Sequence, residues 1–206
     1  MVYLAVALVG AIIGLGLEKI TGYLIKMRTS IYSPIRFSGN LYKSIIWAVV
    51  NSVLWLIIVY IGGLNLQTAE ALIITSACIA LAAVDISIKK IPNEILAFII
   101  LTAFVFVALN GRLDSILTNI IGFAVGFIMF LLPTFIGKGA GLGDVKYAAV
   151  VGFCLGIYNF LAAIIIMTVV LMIYTVYLII TRKGNLKSSI ALGPFMASGF
   201  VAVLIL

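Results

Sequence analysis

The sequence predicts an all-α, polytopic membrane protein of about eight transmembrane helices, with both termini on the extracytoplasmic side. Three observations lead there: an extreme apolar composition, long apolar runs without alternation, and basic residues confined to alternate loops. The chain is 65% hydrophobic and 9% charged, with a mean hydropathy of +1.36. Six acids and thirteen bases cannot give so apolar a surface the polar cover that a water-soluble domain needs.

A hydrocarbon core is crossed by roughly 20 helical residues. On that measure spans fall near 2–18, 45–62, 68–86, 94–109, 115–136, 144–156, 158–181 and 190–206, with 144–181 open to a second reading as one long kinked helix plus a re-entrant piece. The first run looks like a secretory leader, but comparable runs follow it and no small-residue cleavage site stands out, so it reads as a retained span. A membrane barrel would alternate with period two, and these runs do not. One membrane domain, 1–206, is expected, with 1–67 as N-terminal spans around a short basic loop and 68–206 as the core.

With eight spans, Lys19, Lys26, Arg28, Arg36 and Lys43 fall in the first loop, and Lys89 and Lys90 in the third. Lys138 and Lys146 fall at the fifth, and Arg182, Lys183 and Lys187 in the seventh. Arg112 alone is left for the opposite face, so the positive-inside rule puts the basic side in the cytoplasm. Topology and attraction to anionic lipid headgroups account for the net charge of +7 without a nucleic-acid partner.

The chain has no histidine, and Cys78 and Cys154 stand apart within apolar runs. Zinc proteolysis and Ser-His or Cys-His triads are thereby set aside, and the cysteines read as packing residues. Four of the six acids have plain structural explanations. Glu18 closes the first span among bases, Glu70 and Glu94 lie in helix first turns, where the dipole favours a negative charge, and Asp114 lies beside Arg112. Asp85, in "LAAVDISIKKIPNEILAF", and Asp144, in "GKGAGLGDVKYAA", differ: both fall at the cytoplasmic edge of a span, each followed by lysine. Ionisable groups at membrane depth are costly and usually functional. The bland alternatives are an Asp85–Lys89 pair and a helix cap at Asp144.

Two carboxylates held close cannot both ionise cheaply, so one keeps its proton while the other acts as a base. Such a pair activates water and polarises a carbonyl without metal or histidine. Gly139, Gly141 and Gly143 remove side chains and permit positive φ, which would let a substrate backbone approach Asp144. Pro92 ends a helix, and Asn93 suits the N-cap of the span opening at Glu94.

"GLGDVK" at 141–146 and "DISIKKIPN" at 85–93 together resemble the GxGD aspartic peptidases of the bacterial type IV prepilin peptidase family. "ALGPF" at 191–195 is similar to the Gly-Pro-Phe of their last span, and "GAIIGLGLEKI" at 10–20 to their first. The resemblance implies an eight-span fold in the plasma membrane. It implies Asp85 and Asp144 as the catalytic dyad, Gly141 and Gly143 as residues shaping the substrate site, and Lys146 as a residue tuning the second aspartate or touching substrate. The implied substrate is a prepilin or pseudopilin, cut at the cytoplasmic face after a glycine that ends a basic leader.

Many bacterial members carry two Cys-x-x-Cys pairs that bind zinc in the first loop, and methylate the trimmed product with S-adenosylmethionine. Here that loop is "KITGYLIKMRTSIYSPIRFSGNLYKS", without cysteine. No metal is expected, no cofactor is needed for proteolysis, and S-adenosylmethionine-dependent methylation is disfavoured without being excluded. Three rival readings are a small transporter, an archaeal preflagellin-type peptidase, and a Ser/Lys hydrolase built on Ser87 with Lys89 or Lys90, or Ser188 with Lys187.

Overall fold

In the computed structural model, residues 1–29, 41–111, 113–135, 141–181 and 191–206 are described, and no strand occurs among them. The helices are α1 (Val2–Arg28), α2 (Leu41–Gly62), α3 (Leu66–Ile88), α4 (Asn93–Leu109), α5 (Ile116–Phe135), α6 (Leu142–Ile180) and α7 (Gly193–Ile205), with a 3₁₀ turn at Leu113–Ser115. Five of them, α1, α2, α3, α5 and α6, are long and apolar enough to cross a membrane, and α4 and α7 are shorter apolar helices. The protein is an all-α, multi-pass membrane protein.

The 39 residues of α6 would extend about 58 Å if straight, roughly twice the thickness of a hydrocarbon core. Gly156 divides them. Its φ of 70° and ψ of 171° lie outside helical space, in a region that a side chain disfavours. The second half turns back, since the Tyr174 ring lies 5.2 Å from that of Phe195, at the end of the bundle where Asp144 also lies. The expected division between 144–156 and 158–181 therefore falls at the glycine.

The first helix departs from expectation. It runs ten residues past the predicted end at 18, so Glu18, Lys19, Lys26 and Arg28 ride on helix rather than loop. The reason is a continued buried stripe: Leu17, Thr21, Leu24 and Ile25 return every three or four residues to the face that meets the core. Mid-helix Glu18 accepts a hydrogen bond from Ser44 of α2.

One end of the bundle gathers the start of α3, the end of α4, the start of α5, the Gly156 break and the end of α7 around a shared cavity. The opposite end gathers the end of α3 and the starts of α4 and α6. Ser52, in the later half of α2, bonds the Ala7 carbonyl, so Met1 lies at the same end as Leu206, away from Asp85 and Asp144.

Lipid tails are as apolar as leucine, so membrane helices associate through close packing and internal hydrogen bonds rather than hydrophobic exclusion. Both occur here. Gly122 and Gly126 of α5 face Ala148 and Gly152 of α6 so closely that a Cβ at Gly122 would sit 2.2 Å from the Gly152 carbonyl oxygen. Gly14 of α1 meets the Trp47 carbonyl, and Gly199 of α7 the Ala163 carbonyl, in the same manner. Asn51 ties three helices: its amide donates to Gly10 O at 2.8 Å, and its oxygen accepts from Ser76, which in turn accepts from the Trp55 indole. Around them Ile74, Leu81, Ile99, Tyr147, Phe160 and Phe200 are fully buried, while Leu101, Phe104, Leu117, Ile165 and Met172 face outward to lipid.

Gly152→Ala should destabilise the protein by about 1–3 kcal/mol through backbone collision. Gly16→Ala, where nothing lies within 4 Å, should be neutral or slightly stabilising. Thermal unfolding of both variants in one detergent checks the contrast.

Candidate active site

Asp85 lies in the last turn of α3, and 4% of its surface is exposed. Beyond it the helix stops at Lys89, whose amide bonds the Asp85 carbonyl at 2.8 Å and whose φ of 51° turns the chain left-handed. The next turn is set by Pro92, with φ of −72° fixed by its ring, which also disfavours helical geometry at the residue before it. Pro92 is also the N-cap of α4, which corrects the expectation for Asn93. Asn93 already has helical geometry, so its side chain does not cap the helix. It accepts from Lys146 Nζ at 3.3 Å instead.

The Asp85 carboxylate is completed from the far end of the chain. The Gly193 amide, first in α7, donates to Asp85 Oδ2 at 2.8 Å. Helix N-termini leave such amides without intrahelical partners and carry partial positive charge, so a carboxylate there meets both needs. A side chain at 193 has no room: a Cβ would lie 2.6 Å from Asp85 Oδ2 and 2.9 Å from its Cβ.

Asp144 opens α6 and is half-buried. Its Oδ2 accepts from the Gly141 amide at 2.9 Å, so the foreseen cap takes the form of a reciprocal bond linking the third helical residue to Gly141, which itself holds the N-cap position. It does not exhaust the carboxylate, because Asp144 also lines a cavity of about 550 Å³ shared with Asp85, and the two are near enough for their charges to interact. Arg28, Lys89, Lys90, Asn93, Gly141, Gly143 and Lys146 line the same cavity. Arg28 is held at its rim by an ion pair with Glu94.

The glycines act differently from the expectation of positive φ. Gly141 has an ordinary φ of −66°, and Gly143 lies within the α6 helix. At Gly143 a Cβ would press on Ile91 Cβ at 3.2 Å, so its small size seats α6 against the turn after α3. Gly141 leaves open space over Asp144, with only Oδ2 at 3.6 Å. Gly139 and Lys138 lie outside the described residues. Of the Ser/Lys alternatives, Ser87 spends its hydroxyl on the Ala83 carbonyl at 2.7 Å, and Ser188 and Lys187 lie outside the described residues.

Gly193 was missed by reading the sequence for chemistry. Its signal was the Gly-Pro pair, which marks a helix start but does not say what the freed amide faces. Among the described residues no cluster of three or more His, Cys, Asp or Glu side chains could hold a metal. Cys78 and Cys154 are free thiols, Cys78 accepting from the buried Tyr147 hydroxyl at 3.6 Å.

Gly193→Ala should displace the Asp85 carboxylate and lower any activity of this cavity at least about tenfold, with about 1–3 kcal/mol lost in stability. Parallel turnover and thermal-melt measurements check this, and Gly141→Ala should melt near wild type.

The comparisons with known proteins concern the sequence that builds this site. A prepilin leader peptidase/N-methyltransferase of Bacillus subtilis (strain 168) is 29% identical over 140 residues, which cover 68% of this chain and 56% of that protein. The chain thus matches about half the length of that curated relative. No solved structure matches the chain. Residues 72–176 match the type IV leader peptidase family, a stretch that holds both aspartates, Asn93 and Lys146 and stops short of Gly193. That match covers half of the sequence and most of both acid-bearing helices, and the chain belongs to the type IV leader peptidase family.

Proposed function

We propose that this protein is an aspartic endopeptidase that removes the leader peptide of type IV prepilins or pseudopilins at the cytoplasmic face of the plasma membrane, with Asp85 and Asp144 as its catalytic pair. The observation that carries the reading is that these two acids, from α3 and α6, line one cavity at the basic end of an apolar bundle. The family match and the relative's name supply the reaction class and the substrate.

In the proposed reaction one carboxylate is ionised and takes a proton from a water molecule, whose oxygen attacks the scissile carbonyl carbon. The other, protonated, gives its proton to the carbonyl oxygen. The resulting tetrahedral diol collapses as the leaving nitrogen takes the proton that the first carboxylate accepted from water and a diol hydroxyl returns a proton to the second. The C–N bond thereby breaks, the leader's carboxyl end and the new amino terminus are released, and the pair regains its starting protonation. The proton is shared by the pair and belongs to neither residue alone. The Gly193 amide fixes one face of Asp85 and the Gly141 amide one face of Asp144, so both acids are oriented before substrate arrives.

Gly141 leaves room for the substrate backbone beside Asp144. Arg28, Lys89, Lys90 and Lys146 give the cavity a positive rim, which supports a cytoplasmic orientation by the charge rule and suits contact with lipid phosphates. Both termini are then extracytoplasmic. Cleavage requires neither metal nor cofactor in this scheme. S-adenosylmethionine has no part in the hydrolysis, and we do not extend the methyl-transferring half of the relative's name to this chain. The partners are the precursor and the surrounding lipid.

Reconstituted with a prepilin, Asp85→Asn and Asp144→Asn should each lower leader removal by roughly 10²–10⁴-fold while melting near wild type. Wild-type trimming by either variant would refute the pairing. The mature product made with S-adenosylmethionine present should have the mass of the unmethylated chain, and a gain of one methyl group would add the second activity.

A further inference from the structure

We infer that the cleft between α4 and α5 is the lateral entry for the apolar segment of the membrane-anchored substrate, with Asn93 and Lys146 at its threshold; this rests on the leader-peptidase reading. Helices α4 and α5 follow one another in sequence yet barely touch among the described residues, each packing instead on α6. The gap they leave is an apolar groove of about 260 Å³. Ala149 lies on its floor, Ala97 on one wall, and the parallel rings of Phe123 and Phe127, 6.4 Å apart, on the other.

What separates this groove from the other apolar clefts is continuity. Asn93 and Lys146 line both it and the cavity that holds Asp85 and Asp144. The larger clefts between α2, α3 and α7 and between α1, α3 and α4 share no lining residue with that cavity.

Such a path suits a substrate that is held in the bilayer. A precursor held in the bilayer beside the enzyme can present its scissile bond to carboxylates at the membrane edge by leaving the bilayer, by threading in from the cytoplasmic face, or by sliding in sideways. Leaving exposes a whole apolar helix to water. Sideways entry keeps the apolar part in hydrocarbon or against Phe123 and Phe127, but the extended backbone near the scissile bond must then find hydrogen-bond partners as it leaves the helix. The Asn93–Lys146 pair, 3.3 Å apart at the mouth, offers an amide and an ammonium where that unwinding occurs.

Steady-state cleavage of a full-length prepilin in lipid nanodiscs tests this with three variants at exposed positions. Ala97→Trp fills the groove and should raise KM about tenfold with kcat retained, as loss of a binding contact does. Ala97→Ser should match wild type, and so should Ile46→Trp, which fills the cleft between α2, α3 and α7. An unchanged KM in Ala97→Trp, a fall in kcat alone, or an equal rise in Ile46→Trp would overturn the entry path while leaving the peptidase reading intact. Failure of the wild-type protein to cut the precursor at all would sink that reading, and the entry path with it.

Discussion

A carboxylate enclosed at the edge of a membrane bundle must receive its hydrogen bonds from the protein, and for Asp85 that donor is the Gly193 amide at the start of α7. Much of the architecture follows from bringing those two atoms together. The chain has to return α7 to the end of α3, which requires an odd number of crossings after α4, and the Gly156 break inside α6 supplies one of them. It also requires a residue without a side chain at 193, since any Cβ there would overlap the acid it serves.

Close backbone approach is the second half of the same physics. A water-soluble bundle gains stability from apolar burial, whereas helices in lipid gain little from it and rely on contact between small residues and on shared polar groups. The α5–α6 seam of Gly122, Gly126, Ala148 and Gly152 and the Asn51–Ser76–Trp55 chain among α1, α2 and α3 are those two devices. Because α6 is clamped so tightly to α5, its first turn is held firmly, and Asp144 is in that turn. Because α4 is left loosely joined to α5, a route into the bundle stays open beside the acids.

The apolar helices, and the placement of both aspartates at one end of the bundle, were legible in the sequence because each rests on a local, strong signal: continuous apolar runs, and acids where apolar runs end. The charge pattern likewise gathered Arg28, Lys89, Lys90 and Lys146 on one side, and the structure brings those four to one cavity. Less legible were features decided by partners distant in the chain. Asn93 looked like an N-cap because its neighbours suit one, but Pro92 takes that position and Lys146, from α6, takes the side chain. Gly141 and Gly143 looked like sites of unusual backbone, yet their value is space, over Asp144 in one case and against Ile91 in the other. The length of α1 was underestimated because Lys19 and Lys26 suggested a loop, while the buried face of Thr21 and Ile25 keeps the helix going.

The central claim is that Asp85 and Asp144 act as one chemical unit rather than as two independent helpers. Residual single-turnover cleavage rates of Asp85→Asn, Asp144→Asn and the double variant measure this directly. Groups that work as a unit give grossly non-additive losses, so the double variant should be no slower than the slower single variant. A double variant whose loss equals the product of the two single losses would contradict the account.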